Sequence, residues 1–161
     1  MNATTAAFPT PSRSMTVSRA ILWSTLVIGV LDATDGVIAY GLRGTNPIQV
    51  LQYIASGVLG PASFKGGLAT AGLGTLLHFF IAFVVAAIYI LASRAIPVLK
   101  SQAVVLGLIY GAAVYLVMTY LVLPRSAIGP SAFDLGLFLN GVIGHALFVG
   151  LPTALYARRA K

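Results

Sequence analysis

The run ILWSTLVIGVLDATDGVIAYGL, residues 21–42, decides the fold class. Crossing a hydrocarbon layer about 30 Å thick requires roughly 20 apolar residues in a helix, and this run is long enough. Two of the chain's three carboxylates, Asp32 and Asp35, lie inside it. A charged side chain near the middle of a bilayer costs roughly 2.5–3.5 kcal/mol, so such an aspartate normally faces protein or water and has a partner. The run therefore predicts a membrane span with a polar site inside it.

Three further runs have the same character, and the four together use most of the 161 residues. Hydrophobic residues make up 58% of the chain and charged residues only 8%, a balance that excludes an ordinary soluble domain. Each run is continuous and lacks the alternating pattern of a barrel strand, so helices must satisfy the backbone. We therefore predict an all-α protein, an integral membrane four-helix bundle, with spans at about 20–42, 68–93, 103–123 and 134–157.

The connection between the first two spans carries a shorter helical pattern. Asn46 followed by Pro47 is typical of a helix start, and Gly60 with Pro61 is typical of a helix end. Apolar residues recur at helical spacing between them, yet residues 46–60 are too few to cross a bilayer. The pattern predicts a short interfacial or re-entrant helix in the first external loop, which acts either as a passive cover of the bundle or as a gate.

The ten basic residues indicate the orientation of the chain. One side of the predicted spans carries seven of them, Arg13, Arg19, Arg94, Lys100, Arg158, Arg159 and Lys161, and the other side carries Arg43, Lys65 and Arg125. Such an excess marks the cytoplasmic side, so both termini are predicted in the cytoplasm. Residues 1–15 are predicted as a disordered cytoplasmic tail, and residues 16–161 as one transmembrane domain. The net charge of +7 is split among short connections, which favours contact with the lipid bilayer and excludes nucleic acid as a partner.

Both histidines of the chain, His78 and His145, also lie inside apolar runs. Each follows a glycine by four residues and precedes a tyrosine by eleven, which indicates a parallel repeat of the second and fourth spans. Asp32, His78 and His145 are each eleven residues from the outer end of their span, a depth of about 16 Å. Small residues share their helix faces, so we expect the three side chains to converge near mid-membrane, with Asp35 one turn away. The supporting polar residues would be Asn140, Tyr110 and Tyr115.

Several kinds of site would suit these side chains. Asp and His form proton relays in membranes, because imidazole titrates near pH 6.5 and exchanges protons with a carboxyl group. A divalent metal would suit His78, His145 and Asp32, and the two histidines alone would suit haem b. The alternative to all three is helix packing, in which Asp32 only accepts a hydrogen bond from a histidine. We expect no cofactor, with a divalent metal and haem b as the open exceptions.

Sequence motifs give little support to an enzyme. The chain has no cysteine, which excludes disulfides and thiolate chemistry, and it lacks the hydrolase, phosphate-binding and dinucleotide-binding fingerprints. The leading prediction is an inner-membrane protein that handles protons or small ions at the Asp/His site. A non-catalytic scaffold or accessory subunit, associating with itself or with other membrane subunits, is the rival class. A metal- or haem-binding membrane protein is the third.

Two stretches of the chain resemble a known family. They are PIQVLQYIASGVLGPASFKGGLATAGLGTLLHFFIAFVVA, residues 47–86, and LNGVIGHALFVGLP, residues 139–152. Both are similar to a widespread family of small four-span bacterial inner-membrane proteins of unknown function, and more distantly to the YagU-like inner-membrane proteins, which also place a histidine in each of two corresponding spans. The resemblance implies the bacterial inner membrane as location and no particular reaction. Asp32 and Asp35 are not clearly matched in the distant relatives.

Overall fold

The computed structural model describes residues 14–161, and this part of the chain is helical apart from its turns and one isolated bridge. Four helices are long and apolar enough to cross a membrane: α1 (Val17–Gly41), α3 (Gly67–Ala95), α5 (Ala103–Arg125) and α6 (Leu135–Arg159). Between them lie α2 (Pro47–Leu59) and the single turn α4 (Val98–Ser101). The all-α class and the four long apolar helices are confirmed. Most of the tail predicted over residues 1–15 lies outside the described residues.

Two helices begin at the capping signals in the sequence. Asn46 caps α2, because its side chain accepts the N–H of Gln49 at 3.0 Å while the Gln49 side chain accepts the N–H of Asn46 at 3.1 Å. Asp134 caps α6 in a related way, accepting the N–H of Leu137 at 2.7 Å. The short helix that the sequence predicts after Asn46 is therefore present, and its location at the membrane surface stays a prediction.

α2 folds back onto the start of α3 through a 3₁₀ turn at Gly60–Lys65. Gly74 of α3 lies so close to the backbone of α2 that a Cβ atom at this position would overlap the carbonyl group of Leu51. Gln52 is buried, and its side-chain amide donates to the carbonyl oxygen of Gly67 at 3.0 Å. A close backbone contact and a buried hydrogen bond thus fix α2 on the first turns of α3.

α2 also contacts the connection between α5 and α6. The N–H of Ala127 donates to the carbonyl oxygen of Gly57 at 2.9 Å, and the hydroxyl groups of Tyr53 and Ser131 are 2.8 Å apart. The ring of Tyr53 lies 6.2 Å from that of Tyr40, in the last turns of α1. α2 therefore joins three parts of the chain at one end of the molecule, which we call the α2 end.

The long helices pack through small side chains. α1 contacts both α3 and α6, and α6 also contacts α5. The buried core is rich in alanine, and its alanines include Ala20, Ala82, Ala86, Ala103, Ala154 and Ala157. Small residues let helix backbones approach closely, so much of the apolar surface of Leu, Ile and Phe is left on the outside.

Two of the long helices contain a π-helical turn. These turns are Met118–Val122 in α5 and His145–Gly150 in α6, and each ends two residues before a proline, Pro124 or Pro152. Proline lacks an N–H and its ring clashes with the carbonyl group four residues back, so the helix widens ahead of it. We did not predict these turns from the sequence, although a proline inside an apolar run is a recognised signal for a distorted helix.

The two ends of the described chain meet opposite the α2 end. The N–H of Met15 donates to the carbonyl oxygen of Arg159 at 2.9 Å, and the N–H of Lys161 donates to that of Met15 at 3.0 Å. The ammonium group of Lys100, in the connection between α3 and α5, donates to the carbonyl oxygen of Ala160 at 2.9 Å. The beginning of α1, the end of α6 and the α3–α5 connection are thereby held together.

Candidate functional site

α1 and α6 run antiparallel and present polar side chains to each other along their whole contact. From the α2 end to the opposite end, the pairs are Arg43 with Asp134, Asp35 with Asn140, Asp32 with His145, and Ser24 with Thr153. A polar group inside an apolar helix needs a partner within the protein, and in these four pairs the facing polar group lies across the contact between α1 and α6. We call this series of four pairs the polar seam.

Asp32 and His145 face each other near the middle of the polar seam. Oδ1 of Asp32 lies 3.5 Å from Nδ1 of His145, and each side chain is 22% exposed. Within residues 14–161, this buried Nδ1 has no hydrogen-bond partner. The separation exceeds the usual hydrogen-bond distance of about 2.7–3.2 Å by only a few tenths of an ångström. The carboxyl group and the imidazole are therefore adjacent, and a small rotation of the ring would let them share a proton.

Asp35 and Asn140 form the next pair towards the α2 end. The side-chain amide of Asn140 donates to Oδ2 of Asp35 at 2.9 Å. Gly144 faces the same carboxyl group, and a Cβ atom there would lie 2.6 Å from Oδ2, so glycine is what allows Asp35 to sit against α6. Asn140, predicted only as a supporting residue, is thus the direct partner of Asp35. Asp32 and Asp35 place two carboxyl groups on successive turns of one helix face.

The Arg43–Asp134 ion pair closes the polar seam at the α2 end, with 3.0 Å between nitrogen and oxygen. The pKa of Asp134 is lowered, chiefly because its carboxylate accepts the N–H of Leu137, and the charge of Arg43 lowers it further. Arg43 lies two residues beyond the end of α1 and eight residues from Asp35, a rise of roughly 12 Å. Within the described residues, neither Asp32 nor Asp35 has a lysine or arginine partner. The two central carboxyl groups therefore lack a compensating cation.

Ser24 and Thr153 form the pair nearest to the opposite end. The hydroxyl of Ser24 donates to Oγ1 of Thr153 at 3.3 Å, and both residues are fully buried. The hydroxyl of Thr153 in turn donates to the carbonyl oxygen of Val149 at 2.7 Å. Because both side chains are short and enclosed, this pair fixes the register of α1 against α6.

His78 binds the main chain of α1 instead of a carboxyl group. Its Nε2 lies 2.8 Å from the carbonyl oxygen of Gly29, and since a carbonyl only accepts, Nε2 must carry the proton. Gly29 is three residues, or about 4.5 Å, further from the α2 end than Asp32. The structure therefore brings Asp32 together with His145, and it places the hydrogen bond of His78 one turn away.

Tyr110 and Tyr115 have different surroundings. The hydroxyl of Tyr110 donates to the carbonyl oxygen of Val85 at 2.8 Å, which links α5 to α3 outside the polar seam. The ring of Tyr115 lies 5.3 Å from that of His145 and covers Gly141 so closely that a Cβ atom there would overlap it. Tyr115 therefore packs against the histidine of the central pair, whereas Tyr110 holds α5 against α3.

The arrangement of donor atoms bears on which ligand would fit. Among residues 14–161, no three histidine or acidic side chains come close enough together to hold a metal ion. Because Nε2 of His78 donates to Gly29, only its Nδ1 could bind a metal or a haem iron without breaking this hydrogen bond. The central pairs offer two carboxyl groups, one imidazole and one amide, a set that can bind and exchange protons.

Comparison of the chain with models of protein families, with curated proteins and with solved structures gives no significant match. A functional proposal must therefore rest on the chemistry and geometry of the polar seam.

Proposed function

We propose that this chain forms a four-helix bundle in the bacterial inner membrane and handles protons, or a small cation, at the centre of the polar seam. Asp32 and His145 are the proposed relay pair, Asp35 is a second carboxyl group one turn away, and Asn140 holds Asp35 in place. His78 is proposed to anchor α3 to α1. Four long apolar helices with two carboxyl groups inside one of them support this proposal.

The observation that carries the proposal is the state of His145 Nδ1. It is a buried nitrogen without a hydrogen bond in the described chain, 3.5 Å from a carboxyl oxygen. A buried polar atom without a partner costs roughly 1–3 kcal/mol, so a purely structural histidine normally forms its hydrogen bond. A proton-carrying histidine alternates between a state in which Nδ1 is hydrogen-bonded and a state in which it is not. Such a histidine can therefore leave Nδ1 without a partner in one of the two states. The π-turn that begins at His145 is also a feature often found at functional sites.

Proton transfer within this pair has a simple balance. A proton moves from the carboxylic acid of Asp32 to Nδ1 of His145, which leaves a carboxylate and an imidazolium ion in contact. Loss of the proton from Nε2 then leaves a neutral imidazole with its proton on Nδ1. The ring must flip, or exchange this proton to Nε2, before Asp32, reloaded by the next proton, can donate to Nδ1 again. Because neither central aspartate has a lysine or arginine partner, a proton or a small cation is also what would neutralise the site.

A non-catalytic scaffold or accessory subunit is the second candidate. The Ser24–Thr153 pair and the close glycine contacts favour it, because they tighten helix packing and have no groups that titrate. Hydrogen bonds between membrane helices contribute only about 0.6 kcal/mol on average, so packing alone gives a weak reason for two aspartates and a histidine at one contact.

Proton flux into proteoliposomes tests the proposal. The purified protein is reconstituted around a pH-sensitive dye, a pH gradient is imposed, and valinomycin with potassium cancels the membrane potential. Asp32→Asn and His145→Gln remove the titrating groups while keeping similar shape and hydrogen-bonding capacity, so we expect flux in both to fall to that of protein-free liposomes. Asp134→Asn and His78→Gln are the controls and should retain wild-type flux.

Two results would contradict the relay. One is a wild-type flux equal to that of protein-free liposomes under both the pH gradient and a sodium or potassium gradient. The other is full flux in Asp32→Asn. Either result leaves the scaffold as the better proposal. Stoichiometric metal in the purified protein, or a haem absorption band, would instead support the third alternative, in which His78 and His145 are ligands.

The proposed orientation places both termini in the cytoplasm and α2 on the outer surface. The excess of basic residues at one end of the helices and the pairing of Met15 with Arg159 there support it. Because the chain has no cysteine, Val58→Cys and Lys161→Cys each provide a single thiol for an impermeant maleimide. We expect labelling of intact cells only at position 58. Labelling only at position 161 would show that the orientation is the opposite of the proposed one.

A further inference from the structure

We propose that Pro152 is the positioning residue that holds His145 against Asp32. Pro152 lies two turns from His145 and contributes no group that titrates, so its effect on the relay is purely geometric. The inference builds on the proposed function, since it names the residue that sets the geometry of the same pair.

The hydrogen bond next to Pro152 spans one residue more than in an α-helix. The N–H of Leu151 donates to the carbonyl oxygen of Ala146, five residues back, where an α-helix would use the fourth residue back. The next residue is Pro152, which has no N–H to give. The wide turn therefore ends at the residue where the regular series of amide donors stops.

The same arrangement occurs in α5. The N–H of Leu123 donates to the carbonyl oxygen of Met118, again five residues back, and Pro124 follows immediately. This second turn lies in a part of α5 that is remote from Asp32 and His145 in sequence and makes none of the polar seam contacts. Two independent occurrences connect the π-turn with the proline, and the second one provides a matched control.

The π-turn sets the direction in which His145 points from α6. A π-turn adds one residue to a helix, and one residue of an α-helix corresponds to a rotation of about 100°. Thr153 lies on one side of the π-turn and is held by Ser24, whereas His145 lies at its other end and faces Asp32. If this stretch were α-helical while Thr153 stayed on Ser24, His145 would be turned away from α1.

Two glycines of α5 leave space for the wide turn. Gly111 of α5 lies opposite the carbonyl group of His145, where a Cβ atom would overlap it. Gly107, one turn away, lies opposite the other end of the π-turn, and a Cβ atom there would be 3.0 Å from the carbonyl oxygen of Gly150. Because neither glycine has a side chain, the two ends of the π-turn can pack directly against the backbone of α5.

Cross-linking in the cysteine-free chain tests the inference. One variant carries Asp32→Cys with His145→Cys, and a second carries Ser24→Cys with Thr153→Cys, on the other side of the π-turn. Both pairs should react with a short bifunctional thiol reagent. Adding Pro152→Ala should abolish the 32–145 cross-link and leave the 24–153 cross-link, which also reports that α1 and α6 remain packed. Adding Pro124→Ala in place of Pro152→Ala should leave both cross-links intact.

A 32–145 cross-link that persists with Pro152→Ala would overturn the inference, and so would its loss with Pro124→Ala. Proton flux provides the functional readout: Pro152→Ala in the otherwise unchanged chain should reduce flux to that of Asp32→Asn, and Pro124→Ala should retain it. The proton relay and the positioning role of Pro152 are refuted by different results. A wild-type chain without flux refutes the relay, and the cross-links still decide whether Pro152 positions His145.

Discussion

Asn140 donates its side-chain amide to Oδ2 of Asp35 at 2.9 Å, so a neutral group on α6 holds a carboxyl group of α1. We expect Asn140→Ala to lower the free energy of unfolding by about 0.6 kcal/mol, the average for hydrogen bonds between membrane helices, and by no more than about 1.7 kcal/mol. Denaturant unfolding in detergent, followed by circular dichroism, measures the change. A double-mutant cycle with Asp35→Ala isolates the pair, and a coupling energy of zero would show that the contact contributes nothing.

Gly111 and Gly36 form a matched pair of helix glycines with different surroundings. A Cβ atom at Gly111 would overlap the carbonyl group of His145, whereas one at Gly36 would meet nothing within 4 Å in the described chain. Gly111→Ala should therefore destabilise the fold by about 1–3 kcal/mol through overpacking. Gly36→Ala should be neutral or stabilise it by up to about 1 kcal/mol, because alanine favours helix. Equal unfolding midpoints for the two variants would refute this difference.

His78 is expected to matter for stability and not for proton flux. His78→Ala removes the hydrogen bond to the carbonyl oxygen of Gly29 and should cost about 0.6–1.7 kcal/mol of unfolding free energy. Flux per folded protein should remain that of the wild type. Loss of flux in His78→Gln, which keeps a side-chain donor, would place His78 in the relay beside Asp32 and His145.

The Arg43–Asp134 ion pair and the cap at Leu137 should make the start of α6 sensitive to acid. The folded-state pKa of Asp134 lies below its usual value of about 3.9, so the carboxylate form stabilises the fold. This contribution is complete above the usual pKa and is lost as the pH falls through the lowered value. Thermal unfolding at several pH values should show Asp134→Ala less stable than wild type at neutral pH, with the two curves converging in strong acid. A constant difference would contradict this assignment.

Much of the fold can be read directly from the sequence. Continuous apolar runs locate α1, α3, α5 and α6, because about 20 such residues leave the chain few other structures in a membrane. Side-chain caps at Asn46 and Asp134 mark two helix starts, since these are local hydrogen bonds that depend on a few neighbouring residues. That Asp32 and His145 lie at the same level along α1 and α6 also follows from the sequence, because the rise per residue is nearly constant.

The direction in which a side chain points is harder to predict than its depth. His145 meets Asp32 through a helix whose π-turn changes the angular position of every residue on one side of it. His78 binds a carbonyl group, and because every residue has one, no pattern of residue types identifies this partner. The bond between Asn140 and Asp35 likewise depends on how far α1 slides along α6, which short side chains such as Ser24 decide.

The length of α3 has a consequence for how the protein sits in bilayers of different thickness. Its 29 residues extend about 43 Å, some 13 Å more than a typical hydrocarbon layer of about 30 Å. The surplus of roughly nine residues is comparable to the stretch from Gly67 to Gly74, eight residues that carry the contacts with Leu51 and Gln52. With α2 on the outer surface as proposed, hydrophobic mismatch at α3 should therefore displace α2. A thicker bilayer should draw α2 towards the acyl chains, and a thinner one should raise it into the headgroups.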